Sequence, residues 1–165
     1  LEFDALAFAA LPAVRGKPCQ ALAHHVLEES AIVRTLADSG KVPEGVSVSK
    51  FASCLLLFLG EIDSLYNADA HYHNSAHAAD VMMTMEWMLK SDYFQWKVSV
   101  LDHLMVMVAS TIHDVCHPAR NNLFLVKTMS PLAMTYNDKA VLENMHIARS
   151  FEVMQSNPRC NWLSL

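Results

Sequence analysis

Two histidine-rich stretches, 36 residues apart, constrain this chain more than any other feature of its sequence. The first reads His71-Tyr72-His73-Asn74-Ser75-Ala76-His77-Ala78-Ala79-Asp80, and the second His113-Asp114-Val115-Cys116-His117-Pro118. Together they hold five imidazoles and two carboxylates, set in flanking sequence that reads as buried helix. Burying such groups costs free energy unless something pairs with them. A divalent metal is an economical partner, because neutral imidazole and carboxylate are the ligands of zinc, manganese and magnesium sites.

The rest of the sequence predicts an all-α fold, a compact multi-helix domain with the metal site between helices. Only 4 Gly and 6 Pro occur in 165 residues, too few for many tight turns. An apolar fraction of 53% against 18% charged residues argues for a packed core rather than disorder. The length suits one domain or part of one. The net charge is -5 with no basic run, which excludes a nucleic-acid polymer as the expected partner. A small anion still fits, since a metal supplies its own positive charge. Cys19, Cys54, Cys116 and Cys160 form no close pair or zinc-ribbon spacing, so they read as reduced thiols of a cytoplasmic setting. The apolar runs 55–59 and 104–112 fall short of the ~20 residues a membrane-spanning helix needs. The chain begins at Leu1, not Met, which leads us to expect a piece of something longer, with any anchor outside it.

Apolar spacing and caps predict the helices. Segment 3–13 reads as a short lead-in helix broken at Gly16-Lys17-Pro18, and 20–38 as one or two helices. Segment 39–45, with Pro43, reads as a loop. Ser47 or Ser49 caps a helix running to about Tyr66, and Asn74 or Ser75 caps the next. On that helix Val81, Met85, Met88 and Leu89 are the expected buried face. Segment 98–112 is apolar nearly all round, as in helices central to a domain, and Pro118 breaks the chain after it. Short helical pieces follow at 121–127 and 131–134. Tyr136-Asn137-Asp138 is the expected cap of a last helix over 139–154.

His73 and His77 share a face if helical, and His113-Asp114 follows a buried helix directly. Glu143 and His146 lie three apart on the last helix, which fits either a solvated pair or a carboxylate facing a metal site. Asn122 and Tyr72 have plain readings, as a capping residue and a half-buried aromatic. The chemistry such a cluster supports is hydrolysis, with metals activating water and a free histidine protonating the leaving oxygen.

The motifs Tyr72-His73-Asn74 through His77-Ala78-Ala79-Asp80-Val81, His113 through Ala119, Asn122, Phe124-Leu125, Leu132-Ala133, Tyr136-Asn137-Asp138 and Val141 through His146 resemble the class I cyclic-nucleotide phosphodiesterase catalytic domain in order and spacing. That resemblance implies hydrolysis of cAMP or cGMP to a 5′-monophosphate in signal transduction. It implies His73 as general acid, and His77, His113 and Asp114 as metal ligands. Asp114 would bridge two divalent metals, zinc at a tight site and magnesium or manganese at a looser one. It also implies His117, Glu143 and His146 around the water held there, and Tyr72 and Asn122 shaping the substrate pocket. The other readings are a histidine-aspartate phosphohydrolase of other phosphate esters, and an inactive interaction domain. Nothing in the sequence sets the oligomeric state.

Three positions depart from the family pattern. Cys116 stands where an acid is frequent, Met145 where His is usual, and Ala119 where Gly is more frequent. The chain also stops at Leu165, before the region where the family supplies a further aspartate ligand and a purine clamp. The sequence therefore reads as the N-terminal part of such a domain, truncated at its C-terminus, with weak metal binding and little activity expected of the piece alone.

Overall fold

A computed structural model describes residues 3–14, 16–29, 31–42 and 44–165; Leu1 and Pro43, used above, lie outside it. The described residues form helices and no strand. In chain order these are α1 (Ala5–Ala10), α2 (Pro18–Glu29), α3 (Ile32–Asp38), α4 (Val48–Ser64), α5 (Ser75–Leu89), α6 (Val100–Ile112), α7 (Asn122–Lys127), α8 (Pro131–Thr135) and α9 (Val141–Ser156), followed by two short 3-10 turns. None is long and apolar enough to cross a membrane.

Side-chain caps set most of the starts, each satisfying backbone N–H groups that a helix end leaves free. Ser47 accepts the Lys50 N–H on α4, and Asn74 accepts the Ala76 and His77 N–H groups on α5. Ser99 and Asp102 form a capping box on α6, so that helix begins two residues later than its apolar run. Asn121 caps α7. Tyr136, Asn137 and Asp138 do not cap α9. The Asp138 N–H bonds back to the Ala133 carbonyl and closes α8, while Ala140, in the left-handed region, precedes α9.

The core gathers on α4, whose Leu55, Phe58, Leu59 and Ile62 are fully buried against Leu22 of α2, Met82 of α5 and Leu104 of α6. Burying each such side chain is worth roughly 1.5–3 kcal/mol. A smaller cluster of Leu125, Ala133, Val141, Leu142 and Met145 joins α7, α8 and α9.

Two faces differ from expectation. On α5 the buried residues are Ala76, Ala78, Ala79, Met82 and Glu86, whereas Met88 is exposed. The helical period is right and its phase is wrong, because α5 buries an acid. The Glu86 carboxylate bonds His103 of α6 and pairs with Lys90 at 3.0 Å, which compensates its burial. Helix α6 is not buried all round either: Leu101 and Met105 are exposed, while Leu104, Met107 and Val108 pack inward. The extensive α5–α6 packing brings the first histidine stretch against the second.

Candidate metal centre

Helix α5 carries His77 in its first turn, where the Asn74 cap fixes the backbone; the Asn74 amide also donates to the Ala70 carbonyl at 2.9 Å. His113 is the C-cap of α6 and Asp114 follows it. The helix does not continue to His117: Cys116 turns the chain at φ 59, and Ala119 does so again at φ 55. The turn, not a helical face, brings His117 inward.

Three donor atoms converge. His113 Nε2 lies 3.3 Å from Asp114 Oδ2, His77 Nε2 lies 3.5 Å from the same oxygen, and the two nitrogens are 3.3 Å apart. Bonds of about 2.0–2.2 Å in a tetrahedron separate ligand atoms by about 3.3–3.5 Å, so the triangle has the size of one face of a zinc site. A second group shares the aspartate: Asp114, His117 and His146 offer atoms within 4.8 Å of one another, with His146 Nε2 3.7 Å from Asp114 Oδ1.

The hydrogen bonds on the far ring nitrogens assign tautomers. His113 Nδ1 donates to the Ser110 carbonyl at 2.8 Å and His146 Nδ1 to the Val115 carbonyl at 2.6 Å, which leaves both Nε2 atoms as lone-pair donors to a cation. His117 is the reverse. Its Nδ1 accepts the Ala119 N–H at 3.0 Å, so in the neutral ring Nε2 carries the proton and is a hydrogen-bond donor.

The charges agree with this division. Burial lowers the pKa of His77, His117 and His146, keeping those imidazoles neutral. Burial opposes the charge on Asp114, but the bond from His113 and the nearby imidazoles outweigh it and hold the carboxyl at about 2. The same bond raises His113.

The remaining predicted residues surround this centre. His73 Nε2 is 4.0 Å from Asp114 Oδ2, and its ring stacks on His117 at 3.7 Å. Tyr72 is exposed rather than half-buried and lies against the His77 ring at 4.4 Å. Asn122 caps a helix, but not its own: its carbonyl oxygen accepts the Leu142 N–H of α9, and its amide donates to Glu143 at 3.0 Å. Glu143 is thus held at the exposed rim. Tyr66, which the sequence offered only as a helix end, is buried beneath the centre and donates to the Thr111 carbonyl at 2.7 Å. A tyrosine at a helix end among polar neighbours carries no signal of such a contact.

An adjacent His-Asp at a helix end, completed by histidines of neighbouring helices, makes this a helical protein with a ligand set suited to divalent metals. The chain belongs to the 3′5′-cyclic nucleotide phosphodiesterase family, whose profile matches residues 72–165. It is 41% identical over 100 residues to the high affinity cAMP-specific and IBMX-insensitive 3′,5′-cyclic phosphodiesterase 8A of Mus musculus, covering 61% of this chain and 12% of that protein. It is 35% identical over 139 residues to the 3′,5′-cyclic-AMP phosphodiesterase 4C of Mus musculus, covering 84% of this chain and 18% of that protein. The crystal structure of the phosphodiesterase domain of the RhoPDE fusion protein from the choanoflagellate Salpingoeca rosetta superposes with a TM-score of 0.70 at 25% identity, covering 96% of this chain and 48% of that one. The chain thus spans under a fifth of these two curated relatives and about half of the solved domain.

Proposed function

We propose that this site serves hydrolysis of the 3′,5′-cyclic phosphodiester of a cyclic nucleotide to the 5′-monophosphate, with cAMP the first substrate to test. The observation that carries the reading is the triangle of His77, His113 and Asp114 donor atoms with 3.3–3.5 Å edges, sharing its aspartate with His146. The cAMP preference is supported by the named specificity of the phosphodiesterase 8A and 4C relatives.

The donor set fits two divalent ions: zinc suits the two imidazoles and Asp114 Oδ2, and magnesium or manganese suits the side of Oδ1. When bound, such ions neutralise phosphoryl charge and lower the pKa of water. Asp114, which faces His77 and His113 on one side and His146 on the other, would be a ligand common to both groups. His117 donates from Nε2 toward a water or phosphoryl oxygen, and Glu143, fixed by Asn122, accepts from that water. As water attacks phosphorus and the bond to the 3′ oxygen breaks, His73 gives its Nε2 proton to the departing oxygen. Asn122 serves by holding Glu143, since both its polar atoms are engaged, and Tyr72 stands at the exposed edge of the site beside His77. Four unpaired thiols, with Cys19, Cys54 and Cys160 buried, support a reducing, cytoplasmic setting.

The test is chromatography of the nucleotides after incubating the protein with cAMP or cGMP, zinc and magnesium. Release of 5′-AMP that is lost in Asp114→Asn supports the reading. Turnover of phosphate monoesters with the cyclic substrates untouched would transfer the site to the histidine-aspartate phosphohydrolases of other esters.

A further inference from the structure

Helix α6 ends at the metal centre, and its last carbonyls have no partners within the helix. Each is taken in a different way. The Ser110 carbonyl accepts from the His113 ring, the Ile112 carbonyl accepts the Val115 N–H at 3.2 Å, and the Thr111 carbonyl accepts the Tyr66 hydroxyl. The first two bonds are local to the turn. The third reaches it from a part of the chain 45 residues earlier, while from the opposite side in sequence His146 bonds the Val115 carbonyl across 31 residues.

Tyr66 is itself fixed. It stands just beyond α4, its N–H bonded to the Asp63 carbonyl at 3.2 Å, and it is buried in the main core cluster. Four residues on, the Ala70 carbonyl receives the amide of Asn74, the residue that caps α5 in front of His77. The same short segment therefore holds the backbone ahead of one ligand and, through the tyrosine hydroxyl, the turn that carries the other two. A ligand triangle of this size requires its donors to be held within about 0.5 Å.

We propose that Tyr66 is a positioning residue of the metal centre, its hydroxyl anchoring the Thr111 carbonyl so that His113 and Asp114 meet His77 in ligand geometry. This rests on the metal-dependent reading above. Phenylalanine at this position fills the same space and leaves a buried carbonyl without its donor, freeing the turn while keeping the core.

The experiment compares the unaltered protein, Tyr66→Phe and Ile62→Val by zinc titration against a competing chromophoric chelator. Ile62, buried one turn earlier on α4, controls for lost stability alone. Tyr66→Phe is expected to bind zinc about 10- to 100-fold more weakly, as outer partners of metal ligands do when removed, with Ile62→Val unchanged. The cobalt-substituted form of Tyr66→Phe should show an altered visible spectrum, which a merely structural role would leave in place. Equal zinc affinity and equal cobalt spectra in all three proteins would overturn the inference. If Tyr66→Phe loses its helical circular dichroism, amide exchange in the unaltered metal-free protein decides: protection at His113 and Asp114 comparable to Val108 supports the anchor, and exchange at unfolded rates refutes it. Failure of the unaltered protein to bind zinc is a distinct result, which removes the metal reading and this inference with it.

Discussion

His146 Nε2 faces Asp114 Oδ1 at 3.7 Å, through the carboxylate oxygen that His77 and His113 do not touch. One aspartate therefore belongs to two ligand groups. Replacing it should affect both at once, whereas replacing a histidine should affect one.

Metal binding is linked to the stability of the fold. An ion that binds only the folded chain stabilises it by about 2.7 kcal/mol at a hundredfold excess over Kd. For a chain of this length that is a rise of about 5–10 °C in Tm. Zinc should produce this shift in the unaltered protein and a chelator should reverse it. Asp114→Asn should show no shift, because the amide brings neither the charge nor the second free oxygen. Differential scanning fluorimetry with and without zinc checks it, and an undiminished shift in Asp114→Asn would contradict the shared-ligand geometry.

Ala119 tests the turn. It stands at φ 55, where an L side chain costs roughly 1–2 kcal/mol, and its N–H bonds His117. Ala119→Gly removes that strain but adds freedom to the unfolded chain, which takes back about 0.4–1 kcal/mol. A net gain of about 0.5–1 kcal/mol is expected by urea unfolding. A loss of stability would mean that the left-handed backbone here is not strained.

Asp63 sets a pH dependence away from the metal. From α4 it accepts the N–H groups of Cys19 at 3.2 Å and Gln20 at 2.7 Å, closing the first turn of α2. Burial nevertheless pushes its carboxyl up to about 6, against those bonds and the charge of Lys17. The folded chain thus holds this proton more tightly than the unfolded one, where the value is about 3.9. The resulting stability is fully present below about pH 4 and lost as pH rises through about 6. Two units correspond to about 3 kcal/mol. The difference in unfolding free energy between the unaltered protein and Asp63→Asn should change by about that amount between pH 4 and 7. A flat difference would refute the shift.

Much of this frame is legible in the sequence because its signals are local. Ser47 and Asn74 cap where their residue type and position say they should, and metal-ligand chemistry admits so few side chains that the two histidine stretches stand out, while the choice of His77, His113 and Asp114 within them rests on the family resemblance. What is illegible depends on backbone groups or long-range pairing. The carbonyls of Ser110 and Val115, which decide which nitrogen of His113 and His146 faces inward, have no residue signature. Nor does the reach of Asn122 across 21 residues to Glu143. The phase error on α5 has the same origin: Glu86 reads as a surface acid until His103 is brought beside it by the α6 packing.

His73 separates ligand from proton donor. Its Nε2 lies 4.0 Å from Asp114 Oδ2, and it belongs to neither group of converging donors. It is held instead by its stack on His117 and an edge contact with Tyr72 at 5.0 Å. His73→Ala should therefore leave zinc affinity unchanged while lowering cAMP turnover by about 10²- to 10⁴-fold, the usual worth of a positioned general acid. A cyclic substrate with sulphur in place of the bridging 3′ oxygen departs without needing that proton, so the variant should recover most of its loss on it. Turnover of both substrates together with a zinc titration measures the two effects separately. If zinc binding collapses in His73→Ala, the residue is a ligand; if zinc stays and the sulphur substrate is no better tolerated, the proton comes from another group, and the protonated Nε2 of His117 is the nearest alternative.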